Sequence, residues 1–302
     1  MEEFMKTDRL FQENYRKNQF YNEKILLGIS KNVKLHDEYL NPLSSAASCL
    51  NVMGYLNQNK EKIIPFFNEF GLKIDELIDF PFNADVGGEI YDDVGPIVFE
   101  WIGPKKSPIN ERGGSRGHHK TSIDAYFLAK INGKYSQVFI EWKFTESYNT
   151  GKFLHNFGGK KGIERLRRYS SILTRQRKVN FPFNYLDEDT FGIYDFSYEP
   201  LYQLLRMTLL AKETTPIQIG KLKIENYYIL HLVHSENMEL MTLKQNHLQF
   251  SPGIQQYIGM DLHELWKLLL SEEEKEHFFY GFWNKAINKL DDKKQYLENR
   301  YM

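Results

Sequence analysis

The dipeptide Asn132-Gly133 constrains this chain more than any other feature. It separates two halves of the segment Thr121 to Glu146, both rich in β-branched and aromatic residues. A two-residue type I′ turn needs positive φ at both central positions, and Asn-Gly is the pair that adopts it most readily. The pattern therefore predicts a tight β-hairpin. Such a turn also fixes the register: Ile131 faces Lys134, Asp124 faces Glu141 and Ser122 faces Lys143. Alternate side chains share a face. One face then carries Ile123, Ala125, Phe127 and Ala129 against Trp142, Ile140, Val138 and Ser136, which reads as core. The other gathers Ser122, Asp124 and Tyr126 against Lys143, Glu141 and Phe139.

The second face holds the chemistry. Directly opposed residues on neighbouring strands have Cβ atoms about 4.5–5.5 Å apart, where like charges repel. Two carboxylates in that position need a positive charge between them, or at least one takes up a proton. Lys143 supplies one charge. A divalent cation supplies more, and paired carboxylates are the hard oxygen ligands that Mg²⁺ prefers. An ordinary surface cluster of Asp, Glu and Lys is the plain alternative, and a slip of one residue in register would scatter the three.

The rest of the chain frames this hairpin. Of its 302 residues, 39 are basic and 40 acidic, for a net charge of −1. The charge is unevenly spread: residues 152 to 178 hold nine basic side chains and one acid, Glu164. A basic segment of this kind can bind a polyanion on a near-neutral protein. The single cysteine, Cys49, excludes an internal disulfide and fits a reducing compartment. The opening residues lack signal-peptide order. No apolar run approaches the roughly 18–20 residues of a membrane span. A cytoplasmic chain is expected.

Residues 1–80 read as helical, with Ser44-Ser45 capping a helix through Leu56 and a second apolar periodicity through Ile63, Phe66, Phe67 and Phe70. Residues 81–240 carry the strand-like runs: Ile97 to Trp101, the hairpin, and Tyr227 to Val233, with a helix at about Glu199 to Lys212. Residues 241–302 read as helical again, from about Asp261. The expectation is one domain, 1–302, in three parts, of mixed α/β class.

Asp124 followed by Glu141-Trp142-Lys143 on the next strand resembles the PD-(D/E)XK nuclease superfamily, the restriction-endonuclease-like fold. Ser44-Ser45 before an apolar helix, Phe99-Glu100, Glu141 to Glu146, and Tyr202-Gln203-Leu204-Leu205-Arg206 resemble a group of prokaryotic restriction-endonuclease-like proteins within it. The likeness runs over about residues 40 to 235 on short motifs. It departs at Ile123, where the superfamily often has proline. The resemblance implies an αβββαβ core with a mixed central sheet, an N-terminal helical region and C-terminal helices. It also implies Mg²⁺-dependent hydrolysis of DNA phosphodiesters, with Mn²⁺ as a substitute ion, in prokaryotic restriction or phage defence. Asp124 and Glu141 would bind the metal, joined by Glu100 or, second to it, Glu89. Lys143 would assist the attacking water, and Glu146 and Gln203 would orient these groups. The rival expectation is a non-catalytic nucleic-acid-binding or assembly module on the same fold.

Two flanking segments point to a nucleic-acid partner. The glycine-rich loop before the Asp124 strand carries Lys105, Lys106, Arg112, Arg116 and Lys120. The basic run after the Lys143 strand carries Lys160, Lys161, Arg165 and Arg168. Phosphate contacts of this kind position a backbone without reading sequence. DNA is the expected substrate, and nothing in the sequence separates it from RNA. Cutting both strands symmetrically calls for a homodimer. Tyr169, Phe153 and Phe157 are expected to pack rather than stack on bases, and His231 and His234 to be structural.

Overall fold

The computed structural model describes residues 29, 43–81, 85–86, 89–90, 95–112, 120–146, 156–176, 181–184, 192–244, 252–290 and 295–301. The hairpin forms as the turn chemistry requires: Asn132 and Gly133 have φ of 51° and 76°. It joins β3 (Ile123–Ile131) to β4 (Lys134–Lys143), in the order in which the sheet strands are numbered below. Their pairing runs from Ile131↔Lys134 to Ala125↔Ile140, the register expected from the turn.

The other sheet strands build outward from this hairpin. β1 (Ile74–Ile78) and β2 (Ile97–Trp101) share the free edge of β3, both antiparallel to it. β1 covers the turn end, and β2 covers the end near Asp124. On the other side, β5 (Asn226–Val233) pairs parallel with β4, and β6 (Phe278–Phe282) pairs parallel with β5. The sheet is therefore mixed, and β4 lies inside it. Short hairpins at Asp85–Val86/Glu89–Ile90 and Ile217–Ile219/Leu222–Ile224 stand apart.

Two strands correct the sequence reading. β1 falls in the stretch expected to be helical, because Ile74, Leu77 and Ile78 do not alternate and its pairing carries an irregularity between Ile74 and Glu76. β6 falls in the helical C-terminal part. Its aromatic run pairs parallel with residues 49 positions earlier, Phe278 beside Ile229, and no local pattern announces a contact across that separation.

Helices cover both faces. On one, α1 (Ser45–Gln58) and α2 (Ile63–Asn68) pack with Phe127, Ile140 and Trp142. The C-terminal α6 (Trp283–Asn288) and α7 (Gln295–Tyr301) join this layer, and Trp283 stacks on Trp142 at 4.6 Å. On the other face, α4 (Leu201–Glu213) and α5 (Leu262–Leu269) pack with Tyr126, Leu128 and Phe139. α3 (Gly159–Gln176) joins this layer through Tyr169 and Ile172. The Ser44 hydroxyl caps α1 by accepting the Ala47 N–H at 3.3 Å. No described helix is long and apolar enough to cross a membrane.

Ile123 is a further correction. It belongs to the layer of Trp101 and Tyr126, not to that of Ala125. The cause lies next to it. Glu100 has φ of 55°, a left-handed conformation rare for a non-glycine residue. β2 therefore breaks its alternation between Phe99, opposite Ala125, and Trp101, opposite Ile123.

Candidate active site

The strands of the hairpin part just where the charged residues begin. Beyond Ala125 and Ile140 the backbone ladder stops, and the Asp124 carboxylate accepts the Trp142 N–H at 2.8 Å. Asp124 thus takes the place of a ladder carbonyl and is fixed beside Glu141. β4 continues paired with β5 as far as Lys143 opposite Val233. The Lys143 carbonyl accepts the His234 N–H at 3.1 Å and the Trp283 Nε1–H at 2.9 Å. The Glu141–Lys143 backbone is thereby held on both sides.

The side chains form one charge cluster. Lys143 Nζ is 2.7 Å from Glu141 Oε1 and 3.9 Å from Glu146 Oε1. The lysine and Glu141 side chains are only 5% and 12% exposed. Asp124 is held well above the usual carboxylate range, first by burial and then by the charge of Glu141, with Glu100 adding to it. Lys143 and the Trp142 N–H oppose that rise without cancelling it. Glu100 is buried and accepts the Ser122 hydroxyl. The same acids, after burial itself, push up the thiol of Cys49 on α1, which makes it a poor nucleophile.

Carboxylate oxygens are the ligand type that a hard divalent cation takes. One oxygen each of Asp124 and Glu141 is free of hydrogen bonds among the described residues. Surplus negative charge is what such an ion neutralises. Among the described residues, no group of three or more His, Cys, Asp or Glu side chains is drawn together closely enough to hold a metal as it stands.

A row of hydroxyls binds α1 to this end of the hairpin. The Phe144 N–H donates to Ser45 Oγ at 2.8 Å and to Glu146 Oε2 at 2.9 Å, and Ser45 donates to Glu146. Trp142 Nε1–H donates to Ser48 at 2.8 Å, and Thr145 donates to the Leu43 carbonyl at 2.7 Å. Asn237 bridges the Phe144 and Glu146 carbonyls at 3.1 and 3.0 Å. Glu146 therefore lies beside Lys143. Gln203 is half-buried on α4.

Sequence reading missed a second polar group. Glu199, just before α4, is acted on by the charges of Arg206, Lys143 and Glu141, and Asn156 donates to it at 2.9 Å. Arg206 donates to Thr121 Oγ1 at 3.1 Å and lies 5.3 Å from the Tyr202 ring. Buried Glu111 accepts both the N–H and the hydroxyl of Thr121 at 2.6 Å. Glu199, Tyr202 and Arg206 recur at helical spacing, a signal that was available. Glu111 has no such local signature.

The basic residues divide. Lys105, Lys106, Lys160 and Lys161 are exposed. Arg165 instead donates to Asn156 Oδ1 and to its carbonyl at 3.0 Å each. Arg112 and Arg168 pair with Glu164, at 2.9 and 3.4 Å, and Lys120 is buried. The three arginines are engaged by protein groups, because a guanidinium beside packed structure finds such partners first. Arg116, Phe153 and the side chain of Glu89 lie outside the described residues. Tyr169 and Phe157 are buried packing residues, and His231 and His234 bond His263 and the Tyr301 carbonyl.

The chain matches no curated protein and no solved structure. A family profile does match it, over residues 5–302, nearly its full length. With a mixed sheet and an Asp/Glu/Lys cluster at the open end of its central hairpin, the chain belongs to the family described as Restriction Endonuclease associating with ARP.

Proposed function

We propose that this protein is a cytoplasmic, divalent-cation-dependent endonuclease that hydrolyses phosphodiester bonds in DNA, in prokaryotic restriction or phage defence. One observation carries the reading. The hairpin ladder stops at Asp124, whose carboxylate is fixed on the Trp142 N–H, while Glu141 and Lys143 stand beside it as a buried ion pair. Asp124 and Glu141 would hold Mg²⁺ or Mn²⁺, with Glu100 as a third acid. The bound ion would offset their charge and act as a Lewis acid toward a phosphate oxygen.

Lys143 is the cation that this chain itself supplies. Its N–H groups can orient a water oxygen toward phosphorus and offset the charge that builds on the phosphate. The water oxygen bonds to phosphorus and gives up a proton to solvent, while the bond to the departing sugar oxygen breaks and that oxygen takes up a proton from solvent. Ser45 and Glu146 fix the backbone that follows Lys143, so the ammonium is oriented in advance. Exposed Lys160 and Lys161, with Lys105 and Lys106, would contact the phosphates on either side.

The lack of a ready three-ligand cluster among the described residues favours a second reading, a non-catalytic binding or assembly module. The family description also names association with ARP, so a partner protein belongs in the assay. Plasmid and phage DNA are incubated with Mg²⁺, Mn²⁺ or EDTA, with and without that partner. Wild type is compared with Asp124→Ala and Lys143→Ala. Metal-dependent cutting lost in both variants supports the nuclease. Binding without cutting under every condition supports the module.

A further inference from the structure

Arg206 carries a guanidinium fork that the folded chain leaves unengaged. The residue sits on α4, and its Nε donates to Thr121 Oγ1 at 3.1 Å. Its one ion pair among the described residues is with Glu111, at 3.9 Å and again through Nε. Glu111 is already satisfied: it accepts the Thr121 N–H and hydroxyl at 2.6 Å each and the Tyr169 hydroxyl at 3.4 Å. Structural arginine–carboxylate pairs frequently engage both arms of the fork. Here neither Nη bonds a described residue, neither is sealed from solvent, and the side chain stays 25% exposed.

The fork is nevertheless aimed. The guanidinium carbon lies 5.3 Å from the centre of the Tyr202 ring, and a planar cation on an aromatic face with its Nε tied has little freedom left. Phe157 and Tyr169 fix that ring through T-shaped contacts at 5.6 and 6.0 Å. A second guanidinium shares it. Arg165, on α3, lies 5.5 Å from the ring centre and bonds Asn156 through Nη1 alone. The two guanidinium carbons are thus within 10.8 Å of each other, the sum of their distances to the ring. Like charges held at roughly a Debye length favour an anion between them.

Position ties this pair to the candidate active site. Thr121, which fixes Arg206, comes three residues before Asp124. At about 3.3 Å per residue the two lie on the order of 10 Å apart. That is too far for Arg206 to reach the phosphate that Asp124 faces. It is near enough for one a few nucleotides along, at about 3.4 Å of rise each.

We propose that Arg206 is a phosphate-binding residue: its free Nη pair takes a nucleic-acid phosphodiester flanking the cleaved one, in a subsite whose field Arg165 strengthens. The proposal rests on the nucleic-acid reading above and needs no metal ion. A planar fork meets two phosphate oxygens at once, which an ammonium cannot do. Such a contact positions the strand without reading its bases.

The test is run with EDTA, so that no cation bridges protein and DNA. Protein carrying isotope-labelled arginine is titrated with a short duplex, and the Arg206 NMR signals are assigned by their loss in Arg206→Lys. The duplex should shift the Nε–H and slow the exchange of the Nη protons. Binding is then followed by fluorescence anisotropy over a range of salt. Arg206→Ala should weaken binding roughly 5- to 10-fold at 0.1 M salt and lower the log–log salt slope by about 0.9. Arg206→Lys, which keeps the charge and loses the fork, should weaken binding while keeping the slope, and it decides the matter if the alanine variant does not fold. Arg206 signals that ignore the duplex, a full slope in folded Arg206→Ala, or wild-type affinity in Arg206→Lys overturns the proposal and leaves the nucleic-acid reading standing. Inorganic phosphate is titrated in parallel. If it moves the signals and the duplex does not, the site takes a free phosphate and the proposal fails. Wild-type protein that binds neither duplex nor single strand at low salt overturns the nucleic-acid reading and this proposal with it.

Discussion

Lys143 is a buried cation among several acids, so removing it should cost far more stability than an exposed lysine would. Its side chain is 5% exposed and that of Glu141 is 12%, so solvent screens the pair little. Breaking a buried pair by deleting one partner typically costs about 3–5 kcal/mol, because the remaining charge is left uncompensated. At about 2–4 °C per kcal/mol, Lys143→Ala should lower the melting temperature by roughly 6–20 °C. Asp124→Asn should do the reverse. It removes a charge that Glu141 and Glu100 repel, and its amide oxygen can still accept the Trp142 N–H. A gain of about 0.5–2 kcal/mol is expected, at the expense of activity. The sign of the pH dependence follows from linkage. Asp124 holds its proton more tightly folded than unfolded, so its contribution is fully present below about pH 3.9 and is lost as pH rises through the raised folded value. The advantage of Asp124→Asn over wild type should therefore be absent in acid and grow toward neutral pH. Thermal unfolding of the three proteins across pH, with EDTA, measures all of this. Lys143→Ala melting with wild type, or Asp124→Asn melting below it at neutral pH, would refute the charge argument.

Other consequences follow from packing and surface charge. A Cβ on Gly162 would lie 2.0 Å from the Phe157 carbonyl carbon, so Gly162→Ala must push Phe157 and Asn156 away from Glu199. Overpacking of this kind costs about 1–3 kcal/mol, and cleavage should fall with the melting temperature although alanine favours helix. Ending the chain at residue 294 removes Tyr301, whose hydroxyl accepts from Asn51 at 2.9 Å and whose ring packs on Phe144 and Trp283 at 5.5 Å. Loss of that buried ring alone should cost about 3–5 kcal/mol, read by denaturant unfolding. Lys160→Ala with Lys161→Ala should leave stability unchanged and reduce the salt dependence of duplex binding by about one unit of log–log slope per lost phosphate contact. An unchanged slope would place the DNA elsewhere.

Local chemistry wrote much of this protein into its sequence. The positive φ of Asn132 and Gly133 is a property of those two residues, and it sets the hairpin register as far as Ala125 opposite Ile140, next to Asp124 and Glu141. The Ser44 cap and the apolar stripe of α4 are equally local, each acting within one or two turns of chain. Tertiary structure decided what depends on groups distant in sequence. β1 and β6 are strands because the edges of β3 and β5 offer hydrogen bonds, although their own patterns read as helical. Ile123 changes layers because Glu100, on a neighbouring strand, breaks the alternation. Asn156, which Arg165 clamps, reaches Glu199 only because the segments that lead into α3 and α4 meet in the fold. Backbone conformation and periodicity are short-range and legible along the chain. Charge pairing and burial act through space, so they exist only once the sheet has brought the partners together.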